Sequence, residues 1–231
     1  MSSSNILIEI KDLEYRYNED ASPTLVIPEF SVVRGEELFL YGPSGSGKTT
    51  LLEILAGILQ PQKGSVKILG MDFSSMSSAE RDAFRAEHMG YVFQSFNLIP
   101  YLSVLENIQL PLHLSANRRA RLGSVDAEMV IRAICGNLGI ADLLGKKVIE
   151  LSVGQQQRVA VARALLGKPD LILADEPTSA LDVEHREKFL KLMFEISELY
   201  GTTVVFVSHD RSIEKLFSRS ISLESINGTA Q

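Results

Sequence analysis

Residues 42–49, Gly-Pro-Ser-Gly-Ser-Gly-Lys-Thr, have the G-x-x-x-x-G-K-[ST] spacing of a phosphate-binding loop. The glycines let the backbone approach phosphate groups and point its N–H groups at them, and a following helix adds the positive end of its dipole. Lys48 is placed to reach the β- and γ-phosphates of a nucleoside triphosphate, and the Thr49 hydroxyl is placed to bind Mg²⁺. A glycine-rich turn can match by chance, but its position between a predicted strand and a predicted helix favours the phosphate site.

Two carboxylates end an apolar run further along the chain. Residues 171–174 are typical of a buried strand, and Asp175, Glu176 and Pro177 follow directly. A lone acidic pair after a strand is usually part of a solvated loop, but a chain with a phosphate loop needs a carboxylate that faces the metal. Asp175 supplies it in the manner of a Walker B aspartate, and Glu176 could orient and deprotonate the attacking water.

These two motifs occur alike in kinases, GTPases and motor ATPases. The sequence has no Asn-Lys-x-Asp motif for guanine recognition, which makes a GTPase the less favoured interpretation. A second glycine- and serine-containing turn, residues 151–158 (Leu-Ser-Val-Gly-Gln-Gln-Gln-Arg), leads into a predicted helix. Ser152 and Gly154 at the N-terminus of that helix would form a second anion-binding surface.

This second turn resembles the signature motif of the ATP-binding cassette (ABC) ATPases. Further motifs of that family occur in the family's order: Gln94 resembles its Q-loop residue, residues 179–182 (Ser-Ala-Leu-Asp) resemble its D-loop, and His209 resembles its switch histidine. Tyr17 resembles the aromatic residue that stacks on adenine, with Tyr15 as the competing choice. The resemblance covers nearly the whole chain.

The resemblance implies a head-to-tail dimer with two ATP molecules in its interface, where the signature turn of one copy caps the γ-phosphate held by the other. It implies catalytic roles for Glu176, His209, Gln94 and Lys48. It implies Mg²⁺ ligands at Thr49, Gln94 and Asp175. The implied nucleotide-binding residues are Tyr17, Gly42, Pro43, Ser44, Gly45, Ser46, Gly47, Lys48, Thr49, Thr50, Ser152, Gly154, Gln155 and Asp182.

Val153 departs from the signature pattern, which has glycine at this position. Because Ser152, Gly154 and Gln155 are kept, we expect the contacts to the γ-phosphate to survive. The valine would then change backbone flexibility or the rate of dimer closing.

Residues 93–100 and 105–112 are similar to one branch of the family, the ATPase subunits of lipoprotein-release, macrolide- or peptide-efflux and cell-division complexes. In that branch a separate membrane permease docks at the Q-loop surface, which corresponds here to residues 94–112. The implied function is therefore the ATP-binding and ATP-hydrolysing subunit of an ABC transporter. The alternative is a mechanotransmission or scaffold ATPase of a membrane complex such as that of cell division.

Strands and helices alternate along the chain in the way that predicts a largely parallel sheet covered on both faces. The pattern is strand-rich up to residue 69, mostly helical from 78 to 167, and strand-containing again from 171. With the resemblance, this implies an α/β P-loop NTPase (RecA-like) core, an N-terminal antiparallel β subdomain and an inserted α-helical subdomain. We expect one ABC ATPase domain, in which residues 1–94 and 168–231 form the core and 95–167 carry the signature motif.

The composition of the chain limits the kinds of partner that we expect it to bind. The net charge of −6 over 231 residues argues against sequence-independent nucleic-acid binding, which depends on Lys and Arg. We expect the basic cluster Arg118, Arg119 and Arg121 to be solvated, and the single cysteine, Cys135, to be a small buried filler. The sequence shows neither a signal peptide nor an apolar run of about 18 residues. These features predict a cytoplasmic chain, held at the inner face of the cell membrane by its permease.

Overall fold

The computed structural model of this chain describes residues 5–18, 22–178 and 183–228. The strands are β1 (Ile6–Tyr15), β2 (Leu25–Val33), β3 (Glu37–Tyr41), β4 (Lys63–Ile68), β5 (Met71–Asp72), β6 (Met89–Val92), β7 (Leu171–Asp175), β8 (Thr203–Ser208) and β9 (Arg219–Ser222). The helices are α1 (Lys48–Leu55), α2 (Ser78–His88), α3 (Val104–Leu114), α4 (Ala116–Ala120), α5 (Ala127–Asn137), α6 (Val153–Leu165), α7 (Val183–Tyr200) and α8 (Leu223–Ile226). These elements belong to two compact units, residues 1–85 with 203–231, and residues 86–202.

The first unit contains an antiparallel sheet with the strand order β2-β1-β4-β5. It also contains three parallel strands, in which β3 lies between β8 and β9. Leu38, Phe39 and Leu40 of β3 are fully buried, as expected for a parallel strand covered on both faces. Tyr41, the last residue of β3, pairs with the last residues of β8 and β9, so the three strands end at one edge of the sheet.

The second unit contains the parallel pair of β6 and β7, together with α3, α4, α5 and α6. Val92 of β6 pairs with Ala174 of β7, so these strands also end side by side. The helices α3 and α6 pack on each other. Each begins with a capping box, in which a serine hydroxyl and the side chain three residues later satisfy exposed N–H groups reciprocally.

The predicted fold class is confirmed by these elements: an N-terminal antiparallel sheet, parallel strands, and a mostly helical segment inserted between β6 and β7. Cys135 is fully buried, and burial raises the pKa of its thiol to about 12. Within the described ranges, no helix has the length and apolar character that crossing a bilayer requires.

Three apolar residues that helical spacing places on buried faces are exposed instead. Ile58 lies beyond the end of α1, Met129 lies in the first turn of α5, and Leu199 lies in the last turn of α7. Their exposed fractions are 49%, 66% and 75%. Each lies at or beyond an end of its helix, where the regular spacing of apolar residues does not ensure burial.

The prediction for the basic cluster was wrong at Arg118, which is 2% exposed. Its guanidinium donates hydrogen bonds to three backbone carbonyl oxygens, those of Met89 (3.0 Å), Ala164 (2.8 Å) and Leu166 (3.0 Å). Two of these oxygens lie at the C-terminal end of α6, where helical carbonyls have no partner within the helix. Burial lowers the pKa of Arg118 to about 10, so the group remains charged at neutral pH.

We expect Arg118→Met to lower the free energy of unfolding by about 3 kcal/mol, because three buried carbonyl oxygens lose their donor. The matched control is Arg119→Met, since Arg119 is exposed and should change stability by less than about 0.5 kcal/mol. Urea denaturation followed by circular dichroism measures both. Equal denaturation midpoints for the two variants would contradict the structural role of Arg118.

Candidate functional site

The phosphate loop joins β3 to α1 in the first unit. Helix α1 begins at Lys48, and its N-cap is Gly47 in the left-handed conformation, with φ 98°. Among the described residues, no side chain caps this helix end. The N–H groups of the first turn are therefore available to an anion, at the positive end of the helix dipole.

Two glycines of the loop lie in confined space. A Cβ built on Gly47 would lie 2.9 Å from Cδ2 of the buried Leu25, in addition to the cost of its positive φ. A Cβ built on Gly42 would lie 2.8 Å from Oγ of Ser46. A larger residue would therefore strain the backbone at Gly47, whereas at Gly42 it would require the Ser46 side chain to move.

Lys48 is folded into the loop that it follows. Its Nζ donates hydrogen bonds to the carbonyl oxygens of Gly42 (2.9 Å) and Pro43 (2.8 Å), and the residue is 6% exposed. Thr49 next to it is exposed, whereas Thr50 is buried. The loop thus holds an ammonium group inside its curve and presents the Thr49 hydroxyl outwards.

The two tyrosines considered for adenine stacking differ in exposure. Tyr15 is 5% exposed in β1, whereas Tyr17 lies beyond the strand end and is 58% exposed. The Tyr17 hydroxyl lies 2.9 Å from Oγ1 of Thr50, which fixes the ring relative to α1. The exposed ring of Tyr17 is therefore the better candidate for stacking on a base.

His209 follows β8 directly and is exposed. Because β3 and β8 are parallel neighbours that end together, the phosphate loop and His209 leave the sheet at the same edge. Asp210 accepts a hydrogen bond from the backbone N–H of Ser212 (2.9 Å) and caps the 3₁₀ turn at 211–216. That edge is where open α/β sheets bind their ligands.

In the second unit, Asp175 is the last residue of β7 and Gln94 follows β6 after one residue. Asp175 is 8% exposed and Gln94 is exposed. Glu176 adopts φ 44°, a left-handed conformation that is uncommon for a residue with a side chain. Strained backbone of this kind occurs often at functional sites, because it turns a side chain in a direction that regular structure does not allow.

Sequence reasoning missed Arg163 of α6, which connects the Q-loop to the signature helix. Its guanidinium donates to the carbonyl oxygens of Phe96 (2.6 Å) and Asn97 (2.7 Å), two residues with positive φ. Burial lowers the pKa of Arg163. In the sequence, Arg163 is noticeable only as a charged residue within the apolar run 159–165. This pattern does not indicate which groups accept its hydrogen bonds.

The signature turn forms the start of α6. Ser152 is the N-cap, with its hydroxyl accepting from the N–H of Gln155 (3.4 Å) while the Gln155 side chain accepts from the N–H of Ser152 (3.0 Å). Val153 is the first helical residue and is 51% exposed. A valine fits because this position has ordinary helical backbone, for which no glycine is needed.

The predicted site residues are divided between the two units. Tyr17, residues 42–50 and His209 lie in the first unit, and Gln94, residues 152–155, Asp175 and Glu176 lie in the second. Asp182 and the rest of the predicted D-loop, residues 179–182, lie outside the described residues.

Comparison with known proteins gives concordant matches. Residues 27–179 match the family model described as ABC transporter. The chain is 41% identical over 203 residues to the uncharacterized ABC transporter ATP-binding protein YbbA of Escherichia coli K12, covering 88% of this chain and 86% of that protein. It is 36% identical over 222 residues to the lipoprotein-releasing system ATP-binding protein LolD of Hydrogenovibrio crunogenus, covering 95% and 94%.

A solved structure also matches across the chain. It is the dimeric post-hydrolysis state of the ATP-binding cassette MJ0796 bound to ADP and Pi, with 36% identity, a TM-score of 0.79 and 94% of each chain covered.

We expect Tyr17→Ala to weaken ATP binding about tenfold, because stacking of a base on an aromatic ring contributes about 1–3 kcal/mol. Tyr17→Phe keeps the ring and should bind ATP within about threefold of the unmodified protein, since it loses one hydroxyl contact. Isothermal titration with ATP, and with inorganic triphosphate as the control, separates the base from the phosphates. A Tyr17→Ala protein that loses as much affinity for triphosphate as for ATP would refute a role in base stacking.

Proposed function

Because the chain belongs to the ABC transporter family, we propose that it powers a separate membrane permease through ATP-driven closure of a head-to-tail dimer. The chain is an ATP-binding and ATP-hydrolysing subunit of an ABC transporter. The observation that carries the dimer proposal is a second helix start with serine and glycine, that of α6, in a chain that already has a phosphate loop. Ser152 and Gln155 bond to each other in a capping box there, and they would exchange these bonds for contacts to a phosphate. The matching MJ0796 cassette, which is dimeric, supports it.

The proposed phosphate contacts follow from the loop geometry. Lys48 would leave its two carbonyl partners for the β- and γ-phosphates, and the N–H groups at the start of α1 would bind the same oxygens. Ser152, Gly154 and Gln155 of a second copy would contact the γ-phosphate from the other side. Asp182 would lie near this interface, as its motif implies.

The residues proposed for Mg²⁺ fit that ion by the chemistry of their donors. The Thr49 hydroxyl, the Gln94 amide and the Asp175 carboxylate offer oxygen ligands, and protein sites for nucleotide-bound Mg²⁺ use one or two carboxylates together with phosphate oxygens. When bound, the metal neutralises charge that develops on the phosphates.

Glu176 is the proposed general base for the attacking water. It follows the buried Asp175, and its left-handed backbone turns it away from the direction of β7. Gln94 would orient the same water, and the exposed His209 would hydrogen-bond the γ-phosphate and so respond to its release.

The proposed docking region for the permease is residues 94–112. Tyr101 in this region is 73% exposed, and Ile149, next to a segment hydrogen-bonded to residue 102, is 71% exposed. Large exposed apolar side chains favour a protein partner. Arg163 joins the turn at 96–97 to the signature helix, so a permease that displaces this turn would also act on α6. We propose that such a partner holds the chain at the inner face of the membrane.

We further propose a single ABC ATPase domain, with residues 1–94 and 168–231 as its core and 95–167 as its helical subdomain. The similarity to LolD supports membership of the lipoprotein-release branch.

We expect Glu176→Gln to lower ATP hydrolysis by about 100-fold or more, because general-base catalysis contributes about 10²–10⁴-fold. The amide has nearly the same shape, so ATP should still bind and hold the dimer closed. Size-exclusion chromatography should then show a dimer with ATP and a monomer with ADP. The matched control is Glu195→Gln on the exposed face of α7. A Glu176→Gln protein that remains monomeric at saturating ATP would overturn the proposed mechanism.

A further inference from the structure

The C-terminal segment of the described chain lies beside the start of the phosphate loop. Strand β9 pairs with β3 so that Ser222 is opposite Tyr41, the residue that precedes the loop. Helix α8 therefore begins where the loop begins. Its first residue, Leu223, is fully buried, and its Cβ lies 3.7 Å from the place that a Cβ on Gly42 would occupy.

Asn227, at the end of α8, bonds to the first residues of strand β2. Its Oδ1 accepts from the N–H of Val26 (2.8 Å), and its Nδ2 donates to the carbonyl oxygen of Thr24 (3.1 Å). The N–H of Gly228 then donates to the carbonyl oxygen of Val26 (2.7 Å). Asn227 is 7% exposed and its two side-chain hydrogen bonds are partly buried, and β2 is an edge strand of its sheet.

The start of β2 in turn lies against the other end of the phosphate loop. A Cβ on Gly47 would lie 2.9 Å from Cδ2 of Leu25 and 3.5 Å from the carbonyl oxygen of Thr24. This is the carbonyl that accepts from Asn227. Gly47 sets the direction of the first N–H groups of α1, because it is the N-cap in a left-handed conformation.

We propose that Leu223 and Asn227 form a bracket that holds the phosphate loop at both ends, with Asn227 as a positioning residue for nucleotide binding. Leu223 supports the loop at Gly42, and Asn227 supports it at Gly47 through Thr24 and Leu25. The proposal deepens the proposed function and rests on the loop binding ATP. It assigns a role in nucleotide binding to a segment that lies about 180 residues after the loop in the sequence.

The physical argument concerns the buried groups that Asn227 satisfies. Without its amide, the N–H of Val26 and the carbonyl of Thr24 lose a side-chain partner in a partly buried site. The start of β2 then depends on its pairing with β1 and on the bond from Gly228, and Leu25 forms a less rigid wall against Gly47. A loop that samples more conformations binds phosphate more weakly, since ordering it again opposes binding.

The test compares Asn227→Ala with Ser225→Ala, which removes a hydrogen bond to the carbonyl oxygen of Ser222 and so acts within the same segment. We expect the KM for ATP of Asn227→Ala to rise about fivefold to tenfold. The kcat should stay within about twofold, because the bracket does not touch the reacting atoms. Ser225→Ala should match the unmodified protein in both constants.

Two further variants separate positioning from general loss of stability. Ile8→Val in the core of β1 lowers stability without touching the bracket and should leave the KM unchanged. In a cycle with Leu25→Val, the KM effects should be strongly non-additive, since Asn227 acts through Leu25. If Asn227→Ala does not fold, Asn227→Asp keeps the acceptor for Val26 but repels the Thr24 carbonyl, and it should raise the KM as well.

An Asn227→Ala or Asn227→Asp protein with an unchanged KM, or KM effects that simply add to those of Leu25→Val, would overturn the bracket. Failure of the unmodified protein to bind ATP would instead contradict the proposed function itself. Measurements of KM and of ATP binding therefore distinguish failure of the bracket from failure of the proposed function.

Discussion

The parallel register of neighbouring strands is the constraint on which the arrangement of the functional residues depends. Parallel strands of matched length end at the same edge, so whatever follows them in sequence meets in space. In the first unit this applies to the phosphate loop after β3, His209 after β8 and α8 after β9. In the second unit it applies to β6 and β7, after which Gln94 and Glu176 follow. Segments far apart in the sequence thereby leave the sheet at the same edge.

Two arginines that bind backbone carbonyl groups, the buried Arg118 and the half-buried Arg163, provide a second level of order in the helical unit. Arg118 binds the end of α6, and Arg163 binds the turn after β6. Both remove a charged group from water, which is costly unless it is fully hydrogen-bonded. In return, each fixes irregular backbone that the helices and strands alone would leave free. The start of α6, with its signature turn, and the Q-loop turn are thus parts of one hydrogen-bonded structure.

Local patterns were sufficient to predict much of this molecule. The phosphate loop, the strand before it and the helix after it are each determined by residues a few positions apart, so they can be predicted from the sequence. Arg118 and Asn227 could not be interpreted in the same way, because their partners lie up to about 200 residues away. A run of arginines in a sequence suggests a solvated surface, because the sequence does not show which carbonyl groups accept hydrogen bonds from it. The preference for Tyr17 over Tyr15 likewise depends on the exposure of each ring. The sequence alone does not show which of two tyrosines at the end of one strand is exposed.

The central claim is that one ATP is held between the phosphate loop of one copy and the signature turn of another. Mixing a Lys48→Ala protein with a Gly154→Asp protein tests it directly. Gly154→Asp places a negative charge against the γ-phosphate, while an acidic residue in the first turn favours helix α6. Neither variant should hydrolyse ATP alone, but each mixed dimer would contain one site with an intact loop and an intact turn. The account predicts that hydrolysis appears on mixing, whereas a rate equal to the sum of the separate variants would contradict it.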